Sequence, residues 1–176
     1  DKVRVENIES LKTIKLEVEN DDCLICYELP SKQTLDVFLK LNNQEIAEEK
    51  VYYILNGLIR AIHYLSSKKV VLRSVLPENI ILVESPQLGV VTTVLGGLHK
   101  AKFVSSSSEE GNELSEENLK ELEVNVMTFG NMTKMLLAVC PALDKYQELV
   151  DIMVSCLSDC KPTASDLVEQ LALMDR

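Results

Sequence analysis

Residues 72–83 read Leu72-Arg73-Ser74-Val75-Leu76-Pro77-Glu78-Asn79-Ile80-Ile81-Leu82-Val83. A long amphipathic segment precedes this stretch, and aliphatic residues fill its last four positions. Pro77 and Glu78-Asn79 carry residue types that favour turns, because proline fixes φ and asparagine tolerates turn conformations. The stretch therefore predicts a helix, then a loop, then a strand.

The segment before the loop, residues 45–66, is predicted to be a helix. Its apolar residues recur every three or four positions and so form one broad apolar face. The residues of that face are Val51, Ile54, Leu55, Leu58, Ile59, Ile62 and Leu65. Gly57 lowers helix propensity by roughly 1 kcal/mol relative to alanine. We therefore expect Gly57 to mark a close packing contact.

Strand patterns lie on both sides of this helix. Residues 90–95 predict a strand that returns beside residues 80–83 and is broken by Gly96-Gly97. Upstream, residues 11–18 alternate apolar and polar side chains, and residues 23–27 are continuously apolar, which together suggest an antiparallel pair. Residues 35–40 predict a short helix.

The last third of the chain is predicted to be helical. Val124-Asn125-Val126-Met127-Thr128-Phe129-Gly130 is predicted to begin a buried helix, and residues 149–157 predict an amphipathic one. Thr163 and Asp166 form a capping-box pattern directly before a final apolar run.

These stretches resemble, in order, motifs of the protein kinase superfamily. Residues 72–79 resemble the catalytic loop, whose motif reads His-Arg-Asp-Leu-Lys-Pro-Glu-Asn. Leu95-Gly96-Gly97 stands where the family carries Asp-Phe-Gly. Residues 124–130 resemble the Asp-Val-Trp-Ser-Phe-Gly start of the family's central helix. Lys161-Pro162-Thr163 resembles the Arg-Pro-Thr start of its last helix, most like the tyrosine-kinase and tyrosine-kinase-like branch.

The resemblance implies an α+β, protein-kinase-like fold with a mainly helical large lobe and a reduced β remnant of the small lobe. We expect residues 1–30 to form the small-lobe remnant and hinge, and residues 31–176 the large lobe, in one continuous domain. The chain has 176 residues and 46% apolar content, enough for one core. Neither a Gly-rich phosphate loop nor an Ala-Pro-Glu sequence is present. A pared-down relative and a chain lacking some pieces of the fold both stay open.

The resemblance also implies that the chemistry is lost. Kinases need an aspartate as base, a second aspartate and an asparagine on magnesium, and a lysine on the phosphates. Ser74 stands at the base position, Leu76 at the loop lysine and Leu95 at the metal aspartate, while Asn79 is retained. A hydroxyl is a poor base near neutral pH, and an aliphatic side chain offers no oxygen to a hard cation. We predict no catalytic residue, no metal and no cofactor.

A nucleotide, if one binds, would lie at the hinge. The resemblance places Tyr27 at the gatekeeper position and Glu28-Leu29 where an adenine ring would contact the backbone, with Asn79 as the retained loop asparagine.

Composition excludes several other classes of function. A net charge of −10 disfavours a nucleic-acid or anionic-membrane partner, since those surfaces attract clustered Lys and Arg.

Five scattered cysteines fit reduced thiols of a cytoplasmic protein. Cys23, Cys26, Cys156 and Cys160 could form a zinc site, but residues 23–27 resemble a strand in which alternate side chains face opposite sides, so buried structural cysteine is favoured. Likewise, Ser74 with His63 or His99 lacks the third group that a nucleophile and base pair needs.

The sequence therefore predicts a pseudokinase that acts as a scaffold or allosteric partner of another protein, such as an active kinase or a signalling complex. Two alternatives stay open, namely a nucleotide-binding pseudokinase sensor and an active kinase with unorthodox residues.

Overall fold

The computed structural model describes residues 12–19, 22–28, 33–41, 46, 48–72, 75–84, 91–98, 101–104, 116–139 and 147–174. The helices of this part are α1 (Leu35–Leu41), α2 (Glu48–Ser67), α3 (Glu116–Val139), α4 (Gln147–Leu157) and α5 (Ala164–Met174). The strands are β1 (Lys12–Glu19), β2 (Asp22–Glu28), β3 (Val70–Val71), β4 (Ile80–Glu84), β5 (Val91–Leu95) and β6 (Lys102–Phe103). The predicted mixture of helices and strands is confirmed.

Helix α2 supplies a large part of the hydrophobic core. Its apolar face is fully buried, and α3, α5, β3 and β5 all contact the helix. Burying each Leu or Ile side chain contributes roughly 1.5–3 kcal/mol, so this face is a major source of stability. The completely buried residues of the face are Val51, Ile54, Leu55, Leu58, Ile59 and Ile62.

Strands β4 and β5 form an antiparallel hairpin that lies against α2. Ile80 pairs with Leu95 at one end of the ladder, and Glu84 pairs with Val91 at the other. Gly57 is where the hairpin meets the helix, because a Cβ there would lie 2.8 Å from the Cβ of Thr93. The Thr93 hydroxyl donates a hydrogen bond of 3.1 Å to the Ile54 carbonyl oxygen. The predicted close contact at Gly57 is confirmed.

The remaining strands form two further antiparallel pairs, β1 with β2 and β3 with β6. Tyr27 pairs with Thr13 in the first, as predicted for residues 11–18 and 23–27, with an irregularity between Thr13 and Lys15. The division of the chain at residue 30 and the cytoplasmic location stay predictions. None of the described helices combines the length and apolar character needed to span a bilayer.

Helix α3 corrects one expectation. Residues 124–130 do not begin a helix; they lie inside a helix of 24 residues that starts at Glu116. No proline interrupts the segment, and its first part consists mainly of good helix formers, so the turns join without a break. Burial begins only at Asn125, whereas the preceding turns are exposed or half-buried.

Helices α4 and α5 complete the core from two sides. Gly130 allows α4 to approach α3, because a Cβ there would lie 2.7 Å from the Cβ of Cys156. Helix α5 lies on α2, where the Tyr52 hydroxyl donates a 2.8 Å hydrogen bond to the Leu171 carbonyl oxygen.

The capping box that begins α5 is confirmed. The Thr163 backbone N–H donates to Asp166 Oδ2 at 2.8 Å, and the Asp166 N–H donates to Thr163 Oγ1 at 3.2 Å.

Candidate functional site

The loop before β4 is shaped by its proline. Leu76 is extended, with φ −108° and ψ 153°, as expected for a residue before proline. Pro77–Asn79 then form one 3-10 turn, closed by a 2.8 Å hydrogen bond from the Asn79 N–H to the Leu76 carbonyl oxygen. The predicted turn at Pro77 is confirmed. Arg73 and Ser74 lie outside the described residues.

The turn places Asn79 against the end of β5. The Gly96 N–H donates a 2.7 Å hydrogen bond to the Asn79 carbonyl oxygen. Gly97 has φ +72°, and a Cβ on it would lie 2.8 Å from both Cγ and Nδ2 of Asn79. Two stretches singled out from the sequence, the loop and Leu95-Gly96-Gly97, therefore meet at Asn79.

Leu95 faces the core instead of a cleft. It is 3% exposed and belongs to the main cluster of buried apolar residues. Leu76 points the other way and is 42% exposed. Neither side chain carries an oxygen or nitrogen. In the described part of the chain, no group of three or more His, Cys, Asp or Glu side chains could hold a metal ion.

A buried asparagine on α3 holds the start of the loop. Asn125 is completely buried, and its Oδ1 accepts a 2.7 Å hydrogen bond from the Leu72 N–H. Its Nδ2 donates to the Val70 carbonyl oxygen at 2.8 Å and to Ser66 Oγ at 2.9 Å. One amide thus joins the end of α2, β3 and the loop. Sequence reasoning missed this contact, for which a polar residue inside an apolar helical pattern was the available signal.

The segment before α1 lies beside the same loop. The Leu82 N–H donates a 2.8 Å hydrogen bond to the Gln33 carbonyl oxygen, and Thr34 forms an antiparallel bridge with Ile81. Helix α1 itself contacts the 3-10 turn. The Thr34 hydroxyl donates to Asp36, and this bond holds the pKa of the Asp36 carboxyl below its ordinary value. The chain that follows the predicted hinge is therefore attached to the hairpin.

Other predicted site residues are not brought to this place by the described contacts. Tyr27 and Glu28 end β2, where Glu28 pairs with Lys12, and Leu29 lies outside the described residues. His63 is half-buried on α2, and His99 lies outside the described residues. The position of the hinge therefore stays a prediction. The expectation that Ser74 does not act with His63 or His99 as a nucleophile and base also stays a prediction.

Cys156 inside α4 and Cys160 just after its end lie in different environments. Cys156 is buried beside Gly130, and this burial raises the pKa of its thiol to about 11. Its thiol is therefore protonated at neutral pH and a poor nucleophile or metal ligand. Cys160 is exposed. The preference for Cys156 as a buried structural cysteine is consistent with this environment.

Comparison with known proteins adds no relative to this description. No protein-family model matches the chain, and no curated protein matches it significantly.

Proposed function

We propose that this chain is a protein-kinase-like domain that has lost phosphoryl transfer and works by binding another protein. The spatial order of its parts supports the kinase-like reading. The loop with Asn79 lies next to Leu95-Gly96-Gly97, and Asn125 of the helix that resembles the central kinase helix binds the start of the loop.

The burial of Leu95 carries the proposal. A kinase needs a carboxylate at this position to bind magnesium, and the metal neutralises charge on the transferred phosphoryl group. Leu95 is 3% exposed in an apolar cluster, so its side chain is used for packing. Neither it nor Leu76 could replace an oxygen ligand or a phosphate-binding cation. Loss of the metal site and, at Ser74, of the base removes both requirements of the reaction.

A binding role follows from what the domain retains. Among the described residues, every buried side-chain nitrogen and oxygen has a hydrogen-bond partner. A domain that packs well without the groups needed for phosphoryl transfer can still act by binding other molecules at its surface. The net charge of −10 favours a protein partner over nucleic acid. An active kinase or another member of a signalling complex is the partner class that we propose, in the cytoplasm.

One observation favours a second candidate, a nucleotide sensor. Asn79 is half-buried, and its backbone is held by hydrogen bonds at both N–H and carbonyl oxygen. An ordered asparagine at the retained position is suited to contact a bound nucleotide, with the adenine ring at Tyr27, Glu28 and Leu29.

Thermal shift with ATP separates the candidates, because a ligand that binds the folded and not the unfolded state raises Tm by an amount that grows with the ratio of ligand concentration to Kd. We expect no shift with ATP, with or without magnesium. A shift without magnesium that Asn79→Ala abolishes would instead indicate the sensor. Capture of partners from a cell extract, followed by mass spectrometry, then identifies the bound protein. Failure to retain any protein would contradict the scaffold role.

A further inference from the structure

Helices α4 and α5 form an open groove of about 430 Å³. Helix α4 contributes Glu148, Asp151, Ile152 and Ser155, and α5 contributes Gln170, Leu173 and Met174. In each helix these positions recur at intervals of three and four, so one face of each helix lines the groove. Ile152 is buried, whereas Leu173 is 62% exposed. Ile152 therefore lies at the base of the groove and Leu173 at its exposed edge.

The groove has an apolar floor and an acidic side. Ile152, Leu173 and Met174 supply the apolar surface, and the exposed Glu148 and Asp151 lie on α4 beside it. Neither α4 nor α5 contains a Lys, Arg or His residue. Lys161, just before α5, forms an ion pair of 3.6 Å with Glu123 on α3. Among the described residues that line the groove, the charged side chains are therefore both acidic.

We propose that this groove binds an amphipathic helix of a partner protein, with apolar side chains on the groove floor and Lys or Arg side chains toward Glu148 and Asp151. An apolar stripe and an adjacent charged edge are what a helix in a groove requires. The carboxylates would set the orientation of the bound helix and speed its association. This inference rests on the proposed function for its expectation of a protein partner, and it adds the surface and the chemistry of that partner.

The probe for this proposal is a short labelled peptide with Leu on one helical face and Lys on the other, measured by fluorescence anisotropy against the whole chain. Two comparison peptides are needed: one with Glu in place of Lys, and one with the same composition in scrambled order. We expect the basic amphipathic peptide to bind and the other two not to bind. Binding should weaken as salt is raised, because exposed charges are screened.

Matched variants locate the binding site. Leu173→Glu and Asp151→Lys should each weaken binding by about tenfold or more, the size of effect expected at central interface residues. Val154→Glu changes an exposed valine of α4 that does not line the groove, and Glu169→Lys reverses a charge of α5 outside it. Both controls should bind the peptide with a Kd within about twofold of that of the unchanged chain, far less than the change of about tenfold expected for the groove variants.

Three outcomes would overturn the proposal. If the scrambled peptide bound as tightly as the amphipathic one, or if Glu169→Lys and Asp151→Lys weakened binding equally, net charge alone would explain the binding. Self-association that Leu173→Glu abolishes, without peptide binding, would make a second copy of the chain the occupant. Phosphate transfer by the chain would overturn the proposed function but leave the groove result in place, because neither α4 nor α5 contributes to the loop or the hairpin.

Discussion

Asn125 is the polar residue on which the position of the loop depends most. Its amide accepts from the Leu72 N–H and donates to the Val70 carbonyl oxygen and to Ser66. A buried backbone group left without a partner costs about 1–3 kcal/mol. Asn125→Ala removes the partner of two such groups, so it should destabilise the fold by roughly 2–5 kcal/mol in urea denaturation.

The exchange of Asn125 for aspartate, the residue of the kinase motif, gives a sharper test. Asn125→Asp keeps the acceptor for Leu72 but places a carboxylate against the Val70 carbonyl oxygen. Burial and that contact should raise the pKa of the new carboxyl, so protonation restores the donor. Because the folded-state pKa is raised, stability of the variant increases as pH falls through that pKa and levels off below the unfolded-state pKa of about 3.9. Equal destabilisation at pH 5 and pH 8 would contradict the assigned hydrogen bonds.

Gly97 is the second residue whose identity the local structure requires. It has φ +72°, and a methyl group there would overlap the Asn79 amide at 2.8 Å. A left-handed conformation costs a non-glycine residue roughly 1–2 kcal/mol. We therefore expect Gly97→Ala to lower the unfolding free energy by at least about that amount.

The double variant Gly97→Ala with Asn79→Ala separates the two causes. Shortening Asn79 removes the overlap and leaves only the backbone cost, so the double variant should be more stable than the sum of the single effects. Additive effects in chemical denaturation would show that the two side chains do not meet.

At the scale of elements, α3 shows how one helix can be half solvent-exposed and half core. Phe129 is completely buried, whereas Met127, two residues before it, is 40% exposed. The two differ by about 200° around the helix axis. Phe129→Ala should cost about 3–5 kcal/mol through lost burial and a cavity, while Met127→Ala should cost less than about 0.5 kcal/mol. Similar melting temperatures for both variants would contradict the orientation of α3.

The start of α5 gives a pH-dependent prediction. The Thr163 side chain, and then its backbone N–H, hold the pKa of the Asp166 carboxyl below its ordinary value of 3.8. A lowered folded-state pKa contributes stability above that ordinary value, and the contribution is lost as pH falls through the lowered pKa. Thr163→Ala should lower Tm by about 2–4 °C at pH 7.

The same difference in Tm should shrink as the pH falls below 3.8, where the unfolded carboxyl is already protonated. Ser165→Ala is the matched control, since it also removes an exposed hydroxyl from the first turn of α5. A Thr163→Ala effect that is independent of pH would show that Asp166 does not take part in the cap.

Local patterns predicted most of these elements. The three- and four-residue spacing that ends at Leu65 needs no knowledge of neighbours, and neither does the Thr163 cap. Residues 116–139 contain no proline and begin with good helix formers, so the predicted helix start at residue 124 came from the resemblance to a family motif and not from a local signal. The exposure of Met127 depends on which face of α3 meets α2 and α4, so its apolar character alone does not indicate its position.

The candidate site could be predicted in its chemistry but not in its geometry. The sequence indicated that Leu95 and Leu76 lack catalytic groups, and it placed a turn at Pro77. It could not indicate that Leu95 would be part of the core, since an apolar residue also occurs on surfaces. A polar residue inside an apolar helical pattern indicates that Asn125 has a buried partner, but the identity of that partner, Leu72, is set by the fold.

At the scale of the whole molecule, the domain is organised around α2, with the hairpin and loop on one side and α5 also packed on it. In this arrangement Asn79, Gly97 and Leu95 lie close together, and none of the three has a charged side chain. The surface then differs by region, and the acidic α4–α5 groove is the place where we expect a partner.

Transfer of labelled phosphate from ATP tests the central claim, that the domain is kinase-like in form and inactive in chemistry. The assay uses the whole chain with magnesium or manganese, a mixture of protein substrates, and an active kinase as positive control. Asn79→Ala is the matched variant, because Asn79 is the retained loop residue. We predict no incorporation above background with either chain. Incorporation by the unchanged chain that Asn79→Ala abolishes would contradict the account.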